Sequence, residues 1–232
     1  MIIRDKELGE IHLVENAKAR KIIVRRKDSY LQLTYPPLVD RVYIEKTIEE
    51  MRPRLLKLVE KRIEKKLFTP FTEFSTFSFS LKLVESNSTN NYYLKLKEGT
   101  LSISCPANTN YQDERVQQTI RDLIERTFRY EAKRLFPQKV KTLALRHRFT
   151  VSDVKINKSR TRWGSCTSRK SINLSYYCML LPEYLVDFVI LHELCHTIEM
   201  NHGERFWQLL DKVSDGKAKE FTKELKKFRT NW

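Results

Sequence analysis

Residues His192 to His196 carry the clearest chemical signal in this 232-residue chain. They read His-Glu-Leu-Cys-His and lie within an apolar segment that is typical of a helix. In a helix, His192 and His196 are one turn apart on the same face, so both imidazoles can reach one metal ion. Glu193 lies beside that position, where a carboxylate can take a proton from a metal-activated water. The spacing predicts a metal-dependent hydrolase. The alternative interpretation is that both histidines are core residues whose ring nitrogens form hydrogen bonds within the protein.

A third metal ligand is needed, because a catalytic zinc ion takes three protein ligands and keeps one position open. Glu199 and His202 are the candidates. Glu199 lies seven residues beyond His192, a rise of about 10 Å along a straight helix, which one ion cannot easily span. His202 can return to the metal if the chain turns at Asn201, because asparagine tolerates the left-handed conformation that ends helices. The geometry therefore favours His202, with Glu199 as the alternative.

The predicted reaction is the attack of a metal-activated water on a carbonyl carbon. Glu193 accepts a proton from this water and passes it to the leaving nitrogen. A further hydrogen-bond donor is needed to stabilise the oxyanion. Arg162, Tyr176 and Tyr177 are candidates because their predicted hairpin directly precedes the metal helix. The alternative is that all three are ordinary strand residues.

The composition indicates a soluble folded protein with a basic surface. Lys and Arg number 44 against 29 Asp and Glu, a formal net charge of +15. This excess suits an anionic partner such as a nucleotide or nucleic acid, but the scatter of basic residues among acids favours a solvated basic surface. No segment reaches the length of a transmembrane helix, and the N-terminus lacks the apolar stretch of a signal peptide. The four cysteines form no Cys-x-x-Cys pair, and Cys195 lies inside the metal motif, where a disulfide would interfere. This pattern favours a reducing, cytoplasmic location.

The hydrophobic patterns predict an α+β fold with a β-rich N-terminal region over residues 1–108. Strand signals alternate with period two and are bounded by turn residues, whereas the helix signal repeats every three to four residues. The predicted elements of this region are a hairpin over 21–35 that turns at 27–29, a helix over 42–66 that Pro53 kinks or breaks, a strand over 74–84, a polar turn at 86–91 and a hairpin over 92–104.

Residues 109–232 are predicted to form the metallohydrolase domain. Proline and asparagine residues between 106 and 110 mark its boundary, and no internal repeat is visible in the sequence. The predicted elements are a helical region over 111–145 that Pro137 divides, a strand over 150–156, a hairpin over 161–176, the metal helix opened by Leu181-Pro182-Glu183, and two C-terminal helices.

Further motifs stand in order around the pentapeptide. They are Arg162-Trp163-Gly164-Ser165-Cys166, Ile172-Asn173-Leu174, Pro182, Asn201-His202 and Phe206-Trp207. Over about residues 158–210 this set resembles the YgjP-like zinc metallopeptidase family, relatives of the WLM and SprT-like zincins. The resemblance implies one zinc ion held by His192, His196 and His202, with Glu193 as the general base. It also implies a compact zincin-like domain with a small antiparallel sheet packed on the active-site helix.

The strand that precedes the metal helix has two possible roles. Gly164 permits close backbone approach, and an open strand edge can pair with an extended peptide. On this hypothesis Arg162, Trp163, Gly164 and Ser165 are substrate-binding residues. On the alternative hypothesis, Trp163 and Cys166 only pack beneath the metal helix.

The sequence thus predicts a zinc-dependent metallopeptidase that acts on a peptide or protein substrate. Two alternatives keep the same metal chemistry: a nucleotide or phosphoanhydride hydrolase, and a DNA-associated SprT-like protease. A binding module with a structural metal is a third. Phe206 and Trp207 are predicted to pin the next helix against the core and so hold His202 in place.

Overall fold

The chain folds into two compact units, Met1–Glu64 and Lys65–Trp232. The computed structural model describes residues 1–27, 30–60, 66–87, 91–230 and 232. Three sequence predictions fall partly outside these residues, namely the turns at 27–29 and 86–91 and the end of the helix predicted over 42–66. The mixture of helices and small sheets confirms the predicted α+β class.

The first unit is a four-stranded sheet with one helix, and the strand order is β1-β2-β4-β3. Alternate apolar residues of the central strands, such as Ile11 and Leu33, share a buried core with Ile44 and Ile48 of the helix. The helix continues through Pro53, so the predicted break does not occur. The elements are β1 (Ile2–Asp5), β2 (Gly9–Glu15), β3 (Ile23–Arg26), β4 (Leu31–Tyr35) and α1 (Arg41–Glu60).

The second unit contains two three-stranded sheets and four α-helices among its described residues. Its core is one continuous buried cluster. In chain order the elements are β5 (Ser80–Glu85), β6 (Tyr93–Lys97), β7 (Thr100–Cys105), α2 (Glu114–His147), β8 (Asp153–Asn157), β9 (Gly164–Cys166), β10 (Ser171–Ser175), a 3₁₀ helix (Tyr176–Leu180), α3 (Glu183–Cys195), α4 (Glu204–Val213) and α5 (Ala218–Leu225).

One strand arrangement occurs three times along the chain. In each sheet, three strands that follow one another in sequence form the same pattern. The last of the three lies between the other two, parallel to the first of them and antiparallel to the second. The three sets are β2-β4-β3, β5-β7-β6 and β8-β10-β9, and the next α-helix after each set is α1, α2 or α3. The three sets therefore share a topology, although no internal repeat is visible in the sequence.

The sheet beside α3 differs from the predicted antiparallel sheet. The hairpin of β9 and β10 is antiparallel as predicted, but β8 pairs with β10 in the parallel direction. Strand β9 lies one strand position away from β8, at the opposite edge of the sheet. Strand β10 lies between them, antiparallel to β9 and parallel to β8.

The long helix α2 is continuous from Glu114 to His147, so the predicted division at Pro137 is wrong. An internal proline removes one backbone hydrogen bond and costs about 3 kcal/mol. Ala132, Phe136 and Val140 are buried on either side of it. Each large apolar side chain contributes about 1.5–3 kcal/mol when fully buried, so packing offsets the cost.

The predicted boundary after residue 108 lies inside the second unit. Apolar residues of β5 and β7, such as Leu83 and Ile103, belong to the same buried cluster as Ile124 and Phe128 of α2. Because this core joins segments on both sides of residue 108, the contacts divide the chain earlier, after residue 64. A division of roles between residues 1–108 and 109–232 stays a prediction.

Candidate metal centre

Helix α3, which carries the His-Glu-Leu-Cys-His pentapeptide, is buried on most sides. Its apolar residues belong to the core of the second unit. Pro182 caps its beginning, and Glu183 lies in the first turn near the positive end of the helix dipole. Lys139 of α2 contacts Glu183 at 2.7 Å and Asp187 at 2.9 Å. These contacts fix the start of α3 against α2.

Three histidine side chains converge at the other end of α3. His202 Nε2 lies 3.1 Å from His192 Nε2 and 3.2 Å from His196 Nε2. Among the described residues, these three form the one cluster of His, Cys, Asp and Glu whose ligand atoms all lie within 4.8 Å of one another. The structure therefore brings together the three histidines named from the sequence.

The chain reaches His202 by a route that differs from the predicted one. Helix α3 ends at Cys195, and His196 caps it with right-handed backbone angles. Two tight turns follow, in which the N–H of Thr197 donates to Leu194 O and the N–H of Ile198 donates to Cys195 O. Asn201 is not among the described residues with positive φ. The predicted left-handed turn at Asn201 is wrong, because the helix already ends six residues earlier.

Glu199 contacts the histidine cluster through its backbone, while its carboxylate lies outside the cluster. Its carbonyl oxygen lies 3.0 Å from His196 Nδ1. A carbonyl oxygen only accepts hydrogen bonds, so Nδ1 carries the proton and donates. The Nε2 atom of His196 then keeps a free lone pair that points at the other two imidazoles. A backbone contact of this kind has no sequence signal, and the sequence analysis missed it.

The aromatic ring of Phe206, the second residue after the start of α4, lies against all three imidazoles. Its centroid is 4.9 Å from that of His192, 4.5 Å from His196 and 4.7 Å from His202. Phe206 is fully buried, whereas His202 is exposed. Phe206 was predicted to hold only His202 in place. In the structure its ring contacts all three histidines. Of these three histidines, Trp207 lies near His202 alone, with 6.2 Å between the two ring centroids.

Glu193 is buried, with 5% of its surface exposed. Within the described part of the chain, its Oε2 atom has no hydrogen-bond partner. Burial raises the pKa of Glu193 to about 8, and the positive charge of Arg162 opposes part of this rise. Burial, together with the neighbouring imidazoles, lowers the pKa of His192 to about 4. His192 is therefore neutral at neutral pH, the form that binds a metal.

This set of side chains fits a metal ion. A tetrahedral ion with bonds of about 2.0–2.1 Å holds its ligand atoms about 3.3–3.4 Å apart, close to the observed 3.1–3.2 Å between Nε2 atoms. Three imidazole nitrogens leave one tetrahedral position open, as in catalytic sites. A cation there also favours the charged form of the buried, unpartnered Glu193 carboxylate.

Comparison with known proteins agrees with this geometry. The family model described as the YgjP-like metallopeptidase domain matches residues 18–228. The chain belongs to this family. It is therefore a hydrolase of the metallopeptidase class. A search of curated proteins found no match.

Two solved structures are similar to part of this YgjP-like protein. One is the metallopeptidase zymogen of Pyrococcus abyssi abylysin, with 20% sequence identity and a TM-score of 0.35; the match covers 38% of this chain and 90% of that chain. The other is the metallopeptidase zymogen of Methanocaldococcus jannaschii jannalysin, with 23% identity and a TM-score of 0.35; it covers 39% of this chain and 93% of that chain.

The two tyrosine candidates for the oxyanion donor form hydrogen bonds elsewhere in the YgjP-like domain. Tyr177 donates from its hydroxyl to Glu125 at 2.7 Å, and Tyr176 donates to the same carboxylate at 3.3 Å. Glu125 also binds the guanidinium of Arg160. Arg162, by contrast, forms no hydrogen bond or ion pair with a described side chain and interacts electrostatically with Glu193. Of the three candidates, only Arg162 has side-chain donors that no described residue occupies.

The remaining residues named from the sequence lie on or next to β9, which contacts α3. Trp163 and Cys166 are partly buried and pack on the core, and the choice between the two hypotheses for this strand stays open. Gly164 lies against Glu193. Ser165 is half-buried and pairs with Asn173 of β10.

No described helix of this YgjP-like protein is both long enough and apolar enough to cross a membrane.

Proposed function

We propose that this YgjP-like domain hydrolyses peptide bonds with one zinc ion held by His192, His196 and His202, and with Glu193 as the general base. The convergence of three imidazole Nε2 atoms beside a buried glutamate carries the proposal. When bound there, zinc supplies a Lewis acid that activates water and polarises the substrate carbonyl.

Glu193 moves the proton in this proposal. Its carboxylate takes the proton from the attacking water and then gives it to the nitrogen of the departing amine. No described residue forms a competing hydrogen bond with Oε2, so that oxygen is available for the transfer. Burial excludes bulk water from the carboxylate and strengthens its electrostatic interactions with the reacting groups.

Arg162 is the proposed donor to the substrate carbonyl. Its charge acts on Glu193, so the guanidinium lies near the proposed base. It is exposed and has no described hydrogen-bond partner, so its donors are free to bind substrate. A guanidinium aimed at the developing negative charge stabilises the tetrahedral transition state.

The strand β9 is the proposed binding edge for an extended peptide. It pairs with β10 on one side and lies at the edge of its sheet. A peptide that adds as a further strand forms backbone hydrogen bonds to this edge. Gly164 and Ser165 then contact the substrate mainly through their backbone, and Trp163 supports the strand from the core.

The decisive experiment compares the zinc-loaded full chain with Glu193→Gln on a casein or peptide library. Glutamine keeps the size of the side chain but cannot accept the proton, so hydrolysis is expected to fall by about 10²–10⁴-fold while the zinc content stays near one per chain. Unchanged hydrolysis by the variant would refute Glu193 as the base. Turnover of nucleotides without turnover of peptides would refute the peptidase assignment of this site.

The ligand set is tested by zinc content. His202→Ala removes one of the three converging nitrogens and is expected to lose the metal on dialysis against a weak chelator. Glu199→Ala is the matched control, because only the backbone carbonyl of this residue contacts the site. Loss of zinc from the Glu199 variant but not from the His202 variant would reverse the assignment.

A further inference from the structure

Gly164, the first residue of β9, lies directly against the side chain of Glu193. A Cβ atom added to Gly164 would lie 2.7 Å from both Cγ and Oε1 of Glu193, and 2.9 Å from Cδ. Non-bonded carbon atoms prefer separations of about 3.5–4.0 Å. Any side chain at position 164 therefore displaces the glutamate or the strand.

Neither partner can move away at little cost. The backbone of Gly164 belongs to the antiparallel ladder between β9 and β10. The preceding carbonyl, that of Trp163, accepts hydrogen bonds from Ser175 N–H at 2.8 Å and from Cys178 Sγ at 3.3 Å. Glu193 lies on a buried face of α3 within the core. A Cβ atom at position 164 would therefore act mainly on the Glu193 conformation.

We infer that Gly164 is a positioning residue that sets the conformation of the Glu193 side chain by steric exclusion. In the described part of the chain, no hydrogen bond restrains Glu193 Oε2. The close approach of β9 supplies the restraint instead, because the strand backbone closes one side of the space around the carboxylate. The catalytic consequence rests on the proposed function, in which Glu193 is the base; the steric contact does not.

The first test is the kinetics of zinc-loaded Gly164→Ala. A misplaced base lowers kcat by about 100-fold, with KM and zinc content near those of the wild type. Gly203→Ala is the matched control. It lies next to His202 and has φ −75°, and beyond its chain neighbours no described residue has an atom within 4 Å of an added Cβ. It is expected to keep wild-type kcat. Full activity in Gly164→Ala would overturn the inference.

The second test does not depend on peptide hydrolysis. Glu193→Ala removes the atoms that an added Cβ would meet. Gly164→Ala is therefore expected to lower the Tm of the zinc-loaded wild type by about 2–10 °C, and to have no such effect in the Glu193→Ala background. If Gly164→Ala alone fails to fold, the double variant is expected to restore folding. Equal losses of Tm in both backgrounds would overturn the contact, whether or not the protein is a peptidase.

Discussion

Replacing Phe206 by leucine tests whether the histidine cluster is held in place before metal binds. Phe206 is fully buried, and its ring lies 4.5–4.9 Å from each of the three imidazole centroids. Leucine retains an apolar side chain but removes these three ring contacts. Each aromatic pair contributes about 0.5–1.5 kcal/mol beyond its buried area. For three such contacts, we expect the free energy of unfolding of the metal-free chain to fall by about 1.5–4.5 kcal/mol.

The same change is expected to weaken zinc binding at the proposed site. Without the ring, the three imidazoles gain rotamer freedom that the metal must remove, at about 0.5–1 kcal/mol for each side chain. The sum is about 1.5–3 kcal/mol, which corresponds to roughly 10- to 150-fold in the dissociation constant. A partner that orients metal ligands from outside the coordination shell has an effect of similar size.

The assay is competition for zinc between the protein and a chromophoric chelator, together with urea unfolding of the metal-free protein. Phe136→Leu is the matched control, because Phe136 is also fully buried in the same core and lies on α2 away from the histidines. The control is expected to lose stability and keep its zinc affinity. Equal zinc affinities for the two variants would refute the idea that Phe206 organises the cluster.

Two further predictions concern other parts of the chain. The Arg52 guanidinium, 2.7 Å from Asp5, holds the pKa of that carboxyl well below its usual range. A carboxyl whose pKa is lowered by folding stabilises the folded state above its unfolded pKa of about 3.9, and this stabilisation is lost as pH falls. The difference in urea midpoint between wild type and Arg52→Gln should therefore shrink from pH 7 to pH 3. A constant difference would contradict this. Tyr177→Phe removes the 2.7 Å hydrogen bond to Glu125 and should lower the free energy of unfolding by about 1.5–3 kcal/mol in urea titrations, whereas an unchanged midpoint would show that the bond contributes nothing.

Local patterns in the sequence predicted the elements that depend on local physics. The hairpin of β6 and β7 turns at Glu98 and Gly99, and both have positive φ, as a type I′ hairpin turn requires. The helix around the pentapeptide follows from its apolar run and from Pro182 at its start. Such signals act over a few residues, so one sequence is enough to find them.

Features that depend on distant partners could not be predicted in this way. Nothing near Pro137 in sequence shows that buried residues on both sides of it keep α2 continuous. The parallel pairing of β8 with β10 depends on which strand fills the gap in the sheet. The sequence suggested that Gly164 permits close approach, but only the fold shows that the approaching group is Glu193.

The preference for His202 over Glu199, which stays a proposal, rested on a premise that the structure contradicts. The sequence argument placed Glu199 second because a straight helix would carry it too far along the axis. In the structure the helix ends at Cys195, so that distance does not apply. The end of the helix frees the Glu199 carbonyl from intrahelical bonding, and this carbonyl instead accepts a hydrogen bond from His196 Nδ1. The Glu199 N–H donates to Cys195 O at 2.9 Å. Position 199 therefore acts through its backbone, and the site should tolerate most side chains there but not proline, which lacks the N–H group.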